Sequence, residues 1–316
     1  MGDDVCVVVD GSVAVNGVVD VVDVVDDPAI NGNVPVGIVV IGARGRLGRL
    51  VVDEVQARIG VVLVGAVGRT VSPDDDAAHI AAAHIAVDIA VGSDLGQVLE
   101  HVAARWPTQR VVVVDVATAG ATAAHAAAAA AAGVPYVCAS TGLADVDDAA
   151  LTAAAALVPV LQASNLSPGA HLVAMLAAQA ARIMGPDADC EIVEVHHHQK
   201  KDAPSGTALL LAEAVVDARA AQCAERGIAQ RRVHARDGQA PRQPGDVGVV
   251  AVRGGDVVGE HTVTFFADGE RVELAHKVSD RRIFAKGALD AATFLVGRAA
   301  GRYRMTDVLA ARLSST

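Results

Sequence analysis

The chain has 316 residues, enough to bury a full core and to form two domains. A formal charge of −11 with only 2% aromatic residues excludes a nucleic-acid surface, which needs a basic face and stacking rings. No apolar run reaches the length of a membrane span, so a membrane-embedded protein is excluded as well.

Residues 1–33 are rich in Val, Asp and Gly and contain no Lys or Arg. They lack the basic start of a signal or transit peptide. They are read as an appended low-complexity segment, a short hairpin or disordered, with no part in the chemistry. Cys6, Cys138, Cys190 and Cys223 form no C-x-x-C pair and read as reduced thiols of a cytoplasmic protein.

Val36 to Ile41 is wholly apolar, as expected of a strand buried on both faces. Gly42-Ala43-Arg44-Gly45-Arg46-Leu47-Gly48 follows at once, and Arg49 to Ile59 carries helical periodicity. Strand, glycine turn and helix in this order begin a dinucleotide-binding fold, although the spacing is G-x-x-G-x-x-G. The next strand, Val61 to Val67, runs into Gly68-Arg69-Thr70, with no carboxylate before Asp74. A cation at Arg69, helped by Arg46, suits the extra phosphate of NADPH better than the bare ribose of NADH.

A strand is predicted near 84–91, a helix over 95–105, a strand over 111–114 and an Ala-rich helix over 121–132. Further strands begin at Tyr136 and Val158. They end in the small polar loops Ala139-Ser140-Thr141 and Ala163-Ser164-Asn165-Leu166. Successive loops of this kind at strand ends suit a nicotinamide site. A long helix is predicted over 168–184. Beyond it, strand signals dominate at 190–195, 247–253, 258–266 and 270–277, with one helix near 205–220 and a polar loop over 231–245. Helix returns over 287–298.

The fold class is therefore α/β. An N-terminal Rossmann-like dinucleotide-binding domain (34–165 plus 287–316) is followed by a smaller α+β domain (166–286) with a mixed or antiparallel sheet.

The densest chemistry lies in Glu194-Val195-His196-His197-His198-Gln199-Lys200-Lys201-Asp202-Ala203-Pro204-Ser205-Gly206-Thr207. A basic loop closed by a helix N-terminus suits an anionic substrate that must be protonated. Ser205 or Thr207 is the expected helix cap. The three histidines do not form a metal site on this pattern. Neighbours on a strand face opposite ways, and no Cys or carboxylate stands at ligand spacing. His261 and His276 are expected to pack in the core or an interface. Arg236 and Arg253 are expected to form surface ion pairs.

The stretch Glu194 to Ala208 resembles the signature of 4-hydroxy-tetrahydrodipicolinate reductase, also called dihydrodipicolinate reductase, an enzyme family of the diaminopimelate route to lysine. The resemblance extends to Gly42-x-x-Gly45-Arg46-Leu47-Gly48-Arg49, Val252 to Thr262, His276-Lys277 and Phe284-Ala285-x-Gly287-Ala288. It implies that His196 is the proton donor/acceptor, Lys200 a second proton donor, and His197, Gly206 and Thr207 substrate contacts. It implies cofactor contacts at Gly42, Ala43, Arg44, Gly45, Arg46, Leu47, Ala139, Ser140, Thr141, Ala163, Ser164, Asn165 and Leu166. It also implies NADPH (or NADH) as cofactor, a small cyclic dicarboxylate as substrate, and a homotetramer joined through the second domain's sheet. Where the family usually has Gly-Thr-Thr, Asp-Phe-Thr and Asn-Phe, this chain has Ala139-Ser140-Thr141, Asp115-Val116-Ala117 and Asn165-Leu166. An NADPH-binding sensor or inactive paralogue, and another Rossmann amino-acid dehydrogenase, are the alternatives at this point.

Overall fold

A computed structural model describes residues 8–9, 12–13, 34–68, 90–234 and 236–314. Arg69 and most of the strand expected near 84–91 lie outside the described residues. Within the N-terminal segment, Val8–Val9 pairs antiparallel with Ser12–Val13.

The first half alternates strand and helix. The strands are β1 (Val36–Ile41), β2 (Val61–Val67), β3 (Ala90–Gly92), β4 (Val111–Asp115), β5 (Tyr136–Cys138) and β6 (Pro159–Gln162). The helices are α1 (Arg46–Ala57), α2 (Leu95–Ala103), α3 (Thr122–Ala131) and α4 (Asp145–Ala155). Helix α5 (Pro168–Met184) then leads to β7 (Asp189–His196), α6 (Gly206–Glu225), β8 (Arg231–Val233), β9 (Asp246–Arg253), β10 (Gly259–Ala267) and β11 (Glu270–Val278). The chain ends in α7 (Arg282–Leu295), β12 (Gly301–Tyr303) and α8 (Met305–Leu313).

The first sheet has seven strands in the order β12-β6-β5-β4-β1-β2-β3, all parallel. Its strands are Val-rich because both faces are covered. Ile38 and Val40 face a core completed by Val51, Val55, Leu289 and Met305. Val39 and Ile41 face the opposite core, built with Val98, Leu99, Ala126 and Leu151. The strand order reverses direction at β1, and in such sheets ligands bind outside the C-terminal strand ends at that point.

The second sheet runs β8-β9-β7-β10-β11. It is parallel across β8-β9-β7 and antiparallel across β7-β10-β11. Helices α5 and α6 cover one face through Ala177, Ala181, Leu211 and Val215 against Ile192, Val249, Val263 and Phe265. The other face stays open, with Val193, Val250, Val252 and Phe266 each about 40% exposed.

Several elements differ from expectation, β12 and α8 at the end of the chain among them. Helix α4 was not foreseen. Its low-periodicity sequence, with an acidic first turn, reveals little on its own. Strand β8 lies in the expected polar loop. Its edge pairing with β9 is a long-range event, tied down by Arg231 Nε donating to Asp246 at 2.9 Å. Helix α7 starts at Arg282 rather than near Gly287. That glycine lies inside the helix, where a Cβ would fall 1.7 Å from the Leu166 carbonyl oxygen. Its role is close packing on the loop after β6.

Candidate active site

The glycine turn after β1 is shaped for a dinucleotide. Gly42 has φ +79°, and a Cβ there would press on the Ala117 backbone. A Cβ on Gly48 would lie 2.0 Å from the Gly42 carbonyl, so turn and helix pack with no room for side chains. Helix α1 starts at Gly45 with no side-chain cap and no acidic residue in its first turn. Its N-terminal N–H groups and dipole are thus left for an anion. The residues present fit a bound pyrophosphate. Ser140 Oγ donates to the Ala117 carbonyl at 3.0 Å, which joins the loops after β4 and β5 beside Gly42.

The basic loop leaves β7 at His196 and enters α6 at Gly206. His196 is 8% exposed and Glu194 is fully buried. His196 Nδ1 donates to Glu194 Oε2 at 2.6 Å. The same carboxylate accepts two bonds from Arg253, at 2.7 and 2.8 Å, and one from the Ser205 amide at 2.9 Å. Burial pushes the Glu194 pKa up. The bonds from Arg253, His196 and Ser205 more than offset it, so the carboxyl ends below its ordinary value and is ionised. Burial pulls the His196 pKa down, and Glu194 restores part of it.

Neighbouring turns brace the loop. The His197 amide donates to Val257 O, the Gly254 amide to His196 O, and His198 Nδ1 to Gly255 O at 2.9 Å. Lys200 Nζ pairs with Asp202 at 2.8 Å, and Arg253 also donates to the Asp202 carbonyl. Arg281, just before α7, donates to His197 Nε2 at 3.3 Å. His197 therefore carries its proton on Nδ1, a buried atom with no protein partner. Its pKa is lowered by burial, then by Arg281, Lys200, His198 and Arg46.

Two helix starts complete the cleft. Ser205 caps α6 and Ser167 caps α5 through their hydroxyls. Each hydroxyl is also hydrogen-bonded to a histidine of the second sheet, Ser205 to His261 at 2.9 Å and Ser167 to His276 at 3.2 Å. His261 lies edge-on to His196, centroids 5.2 Å apart, and is stacked on His276. Burial, then the nearby His196, pushes the His261 pKa down to about 3, so it is neutral.

The structure brings His196, His197 and Lys200 into one loop beside Gly206 and Thr207. It sets Gly42–Leu47, Ala139–Thr141 and Ala163–Leu166 at the C-terminal ends of neighbouring parallel strands. The Leu166 side chain is buried in the core, and its carbonyl packs against Gly287 of α7. Arg253 is not the expected surface ion pair, because its partner is the fully buried Glu194. His261 is buried as expected, yet it sits in contact range of the candidate acid. Glu194, Ser167 and Arg281 were not singled out in the sequence. A carboxylate two residues before a candidate acid on one strand face was the available signal for Glu194. Among the described residues no group of three or more His, Cys, Asp or Glu could hold a metal ion, and no helix is long and apolar enough to cross a membrane.

Comparison with known proteins agrees with this geometry. Residues 36–166 match the family described as dihydrodipicolinate reductase, N-terminus, and residues 169–309 match its C-terminus. The chain is 40% identical over 277 residues to 4-hydroxy-tetrahydrodipicolinate reductase of Chelativorans sp. (strain BNC1), covering 86% of this chain and 95% of that one. It is 42% identical over 278 residues to the enzyme of that name from Anaeromyxobacter sp. (strain Fw109-5), covering 88% and 98%. The fold superposes on dipicolinate-bound dihydrodipicolinate reductase from Paenisporosarcina sp. TG-14 with a TM-score of 0.66 at 22% identity, covering 85% and 97%. With both halves of the chain matched and relatives at about 40% identity spanning nearly their whole length, the chain belongs to the dihydrodipicolinate reductase family.

Proposed function

We propose that this chain reduces 4-hydroxy-tetrahydrodipicolinate to tetrahydrodipicolinate, with loss of water, in the diaminopimelate route to lysine, and that it prefers NADPH. One observation carries the reading. A buried histidine, held by an ionised carboxylate, stands beside a helix N-terminus whose cap is bound by that same carboxylate. Proton donor and carboxylate-binding amides are thus built on one frame.

His196 gives its proton from Nε2, which has no protein partner among the described residues, while Nδ1 stays on Glu194. The first-turn N–H groups at Gly206 and Thr207 bind one substrate carboxylate, and Gly206 leaves open space for it. His197 contacts the substrate from the same loop. Lys200, only half-buried and paired with the exposed Asp202, exchanges that partner for the second carboxylate or donates a proton to the ring. Gly42–Leu47, Ala139–Thr141 and Ala163–Leu166 hold the coenzyme, and Arg46 with Arg69 favours the extra phosphate of NADPH. The bound nicotinamide supplies the hydride. The open face of the second sheet, with its exposed valines and Phe266, supports a homotetramer joined there.

The test is coenzyme oxidation with and without the cyclic substrate, run with NADPH and NADH. Substrate-dependent oxidation that is faster with NADPH is expected. No substrate dependence with either coenzyme overturns the function. Equal or better use of NADH overturns only the preference.

A further inference from the structure

We propose that Glu194, clamped by Arg253, is the positioning residue of the acid: it locks His196 in the Nδ1–H tautomer with Nε2 turned to the substrate. This rests on the reading of His196 as the proton donor. The geometry is specific. Glu194 and His196 stand two apart on β7 and so share a face of the sheet. Arg253 is the register partner of His196 on the parallel neighbour β9, and His261 is the partner of Glu194 on the antiparallel neighbour β10. The carboxylate is thus held by Arg253 from the β9 side, with His261 opposite it on β10.

Glu194 accepts four hydrogen bonds, two from Arg253, one from the Ser205 amide and one from His196. All its strong lone-pair directions are used, so the carboxylate cannot swing away from the imidazole. The His196 Nε2 lies 2.9 Å from the point where a Cβ on Gly259 would sit, so the bare glycine leaves the ring its place. Among the described residues, the charged or titratable groups about His196 are Glu194 on its own strand, Arg253 on β9, His261 on β10 and Lys200 in the basic loop. Of these only Glu194 favours the protonated ring. Burial, Lys200 and Arg253 oppose it. Glu194 therefore offsets part of the lowering that burial imposes on the His196 pKa. It also ties that acid to Ser205, the cap of the helix start that receives a substrate carboxylate.

Two measurements test this. Ring ¹⁵N NMR of the unaltered protein, with His196 assigned by difference against His196→Gln, reads the tautomer directly. Above the pKa of His196, a protonated Nδ1 and a bare Nε2 are expected, and the reverse tautomer overturns the proposal. In kinetics, Glu194→Gln is expected to lower turnover at neutral pH by roughly 10²- to 10⁴-fold, the span of positioned acid catalysis. It should also move the alkaline limb of the turnover profile to lower pH, with KM little changed, and Glu194→Asp should restore part of the limb. A Glu194→Gln enzyme that loses turnover but keeps the wild-type limb shows a merely structural role and overturns the proposal, as does one with wild-type turnover. If Glu194→Gln does not fold, the NMR result alone decides. Near-normal turnover in His196→Gln would instead sink the donor assignment itself, so the two failures are distinguishable.

Discussion

Asn165 Nδ2 donates to Thr207 Oγ1 at 2.7 Å, and this bond joins the loop that ends β6 to the first turn of α6. Asn165 is used at every polar atom of that link. Its Oδ1 accepts from the Ser167 amide and its carbonyl accepts from His171 Nε2. The loop proposed to hold the coenzyme and the helix start proposed to bind substrate are thereby joined by one side chain. Asn165→Ala is expected to raise KM for the cyclic substrate about 10-fold, the equivalent of about 1–1.5 kcal/mol for one lost bond. Steady-state kinetics at saturating NADPH checks it, and an unchanged KM would show that the bridge does not set the site.

His196→Gln and Lys200→Ala are each expected to lower turnover by about 10²–10⁴, because positioned acid catalysis contributes on that scale. Lys200→Ala should also raise KM, since its amine releases Asp202 to meet a carboxylate. Near-normal turnover in both variants removes the roles assigned here.

The buried His261 and His171, with the half-buried His276, make folding sensitive to acid. His261 has its pKa pushed down to about 3 from 6.5, and His171 and His276 are shifted the same way, all chiefly by burial. In the unfolded chain these rings take up protons below about pH 6.5, whereas His261 in the folded protein does not until about pH 3. The unfolded state therefore binds more protons across that window, and stability is lost as pH falls through it. Urea unfolding at pH 7.5, 6 and 5 is expected to show midpoints falling with pH. His261→Gln, which removes one such ring, should show a flatter decline. A parallel decline would mean that His261 does not carry the effect.

A second buried network lies under the coenzyme loops. Asp115, 1% exposed, accepts from Tyr136 Oη at 2.6 Å, from His125 Nδ1 at 2.8 Å and from the Ala117 amide at 2.9 Å. Tyr136→Phe keeps the ring and removes one donor from a buried carboxylate. The expected cost is about 1–3 kcal/mol, read as a lower urea midpoint with an unchanged slope. No change in midpoint would mean that the carboxylate finds a substitute donor.

Gly169 shows the limit of local inference in another way. A Cβ there would lie 2.9 Å from the ring of His276, so the start of α5 is packed directly on β11. Gly169→Ala is expected to loosen the Ser167–His276 bond and lower the thermal midpoint, and unchanged calorimetry would argue against this packing.

Much of the molecule is determined by neighbours in sequence. The apolar run of β1, the glycine turn and the amphipathic α1 specify their conformations within about 20 residues, and the Ser205 hydroxyl caps α6 three residues on. Such patterns identify the α/β class, the coenzyme turn and the basic loop without any tertiary information. The partners of that loop are a different matter. Arg253 is 59 residues from Glu194 and His261 is 56 from Ser205, while Arg281 is 84 from His197. Strand register decides those meetings. A shift of one residue in β9 or β10 would turn Arg253 and His261 to the open face of the sheet. The chain alone could supply an imidazole as proton donor. Only the alignment of β7 with its two neighbours gave that imidazole a fixed carboxylate, a fixed orientation and a helix start beside it.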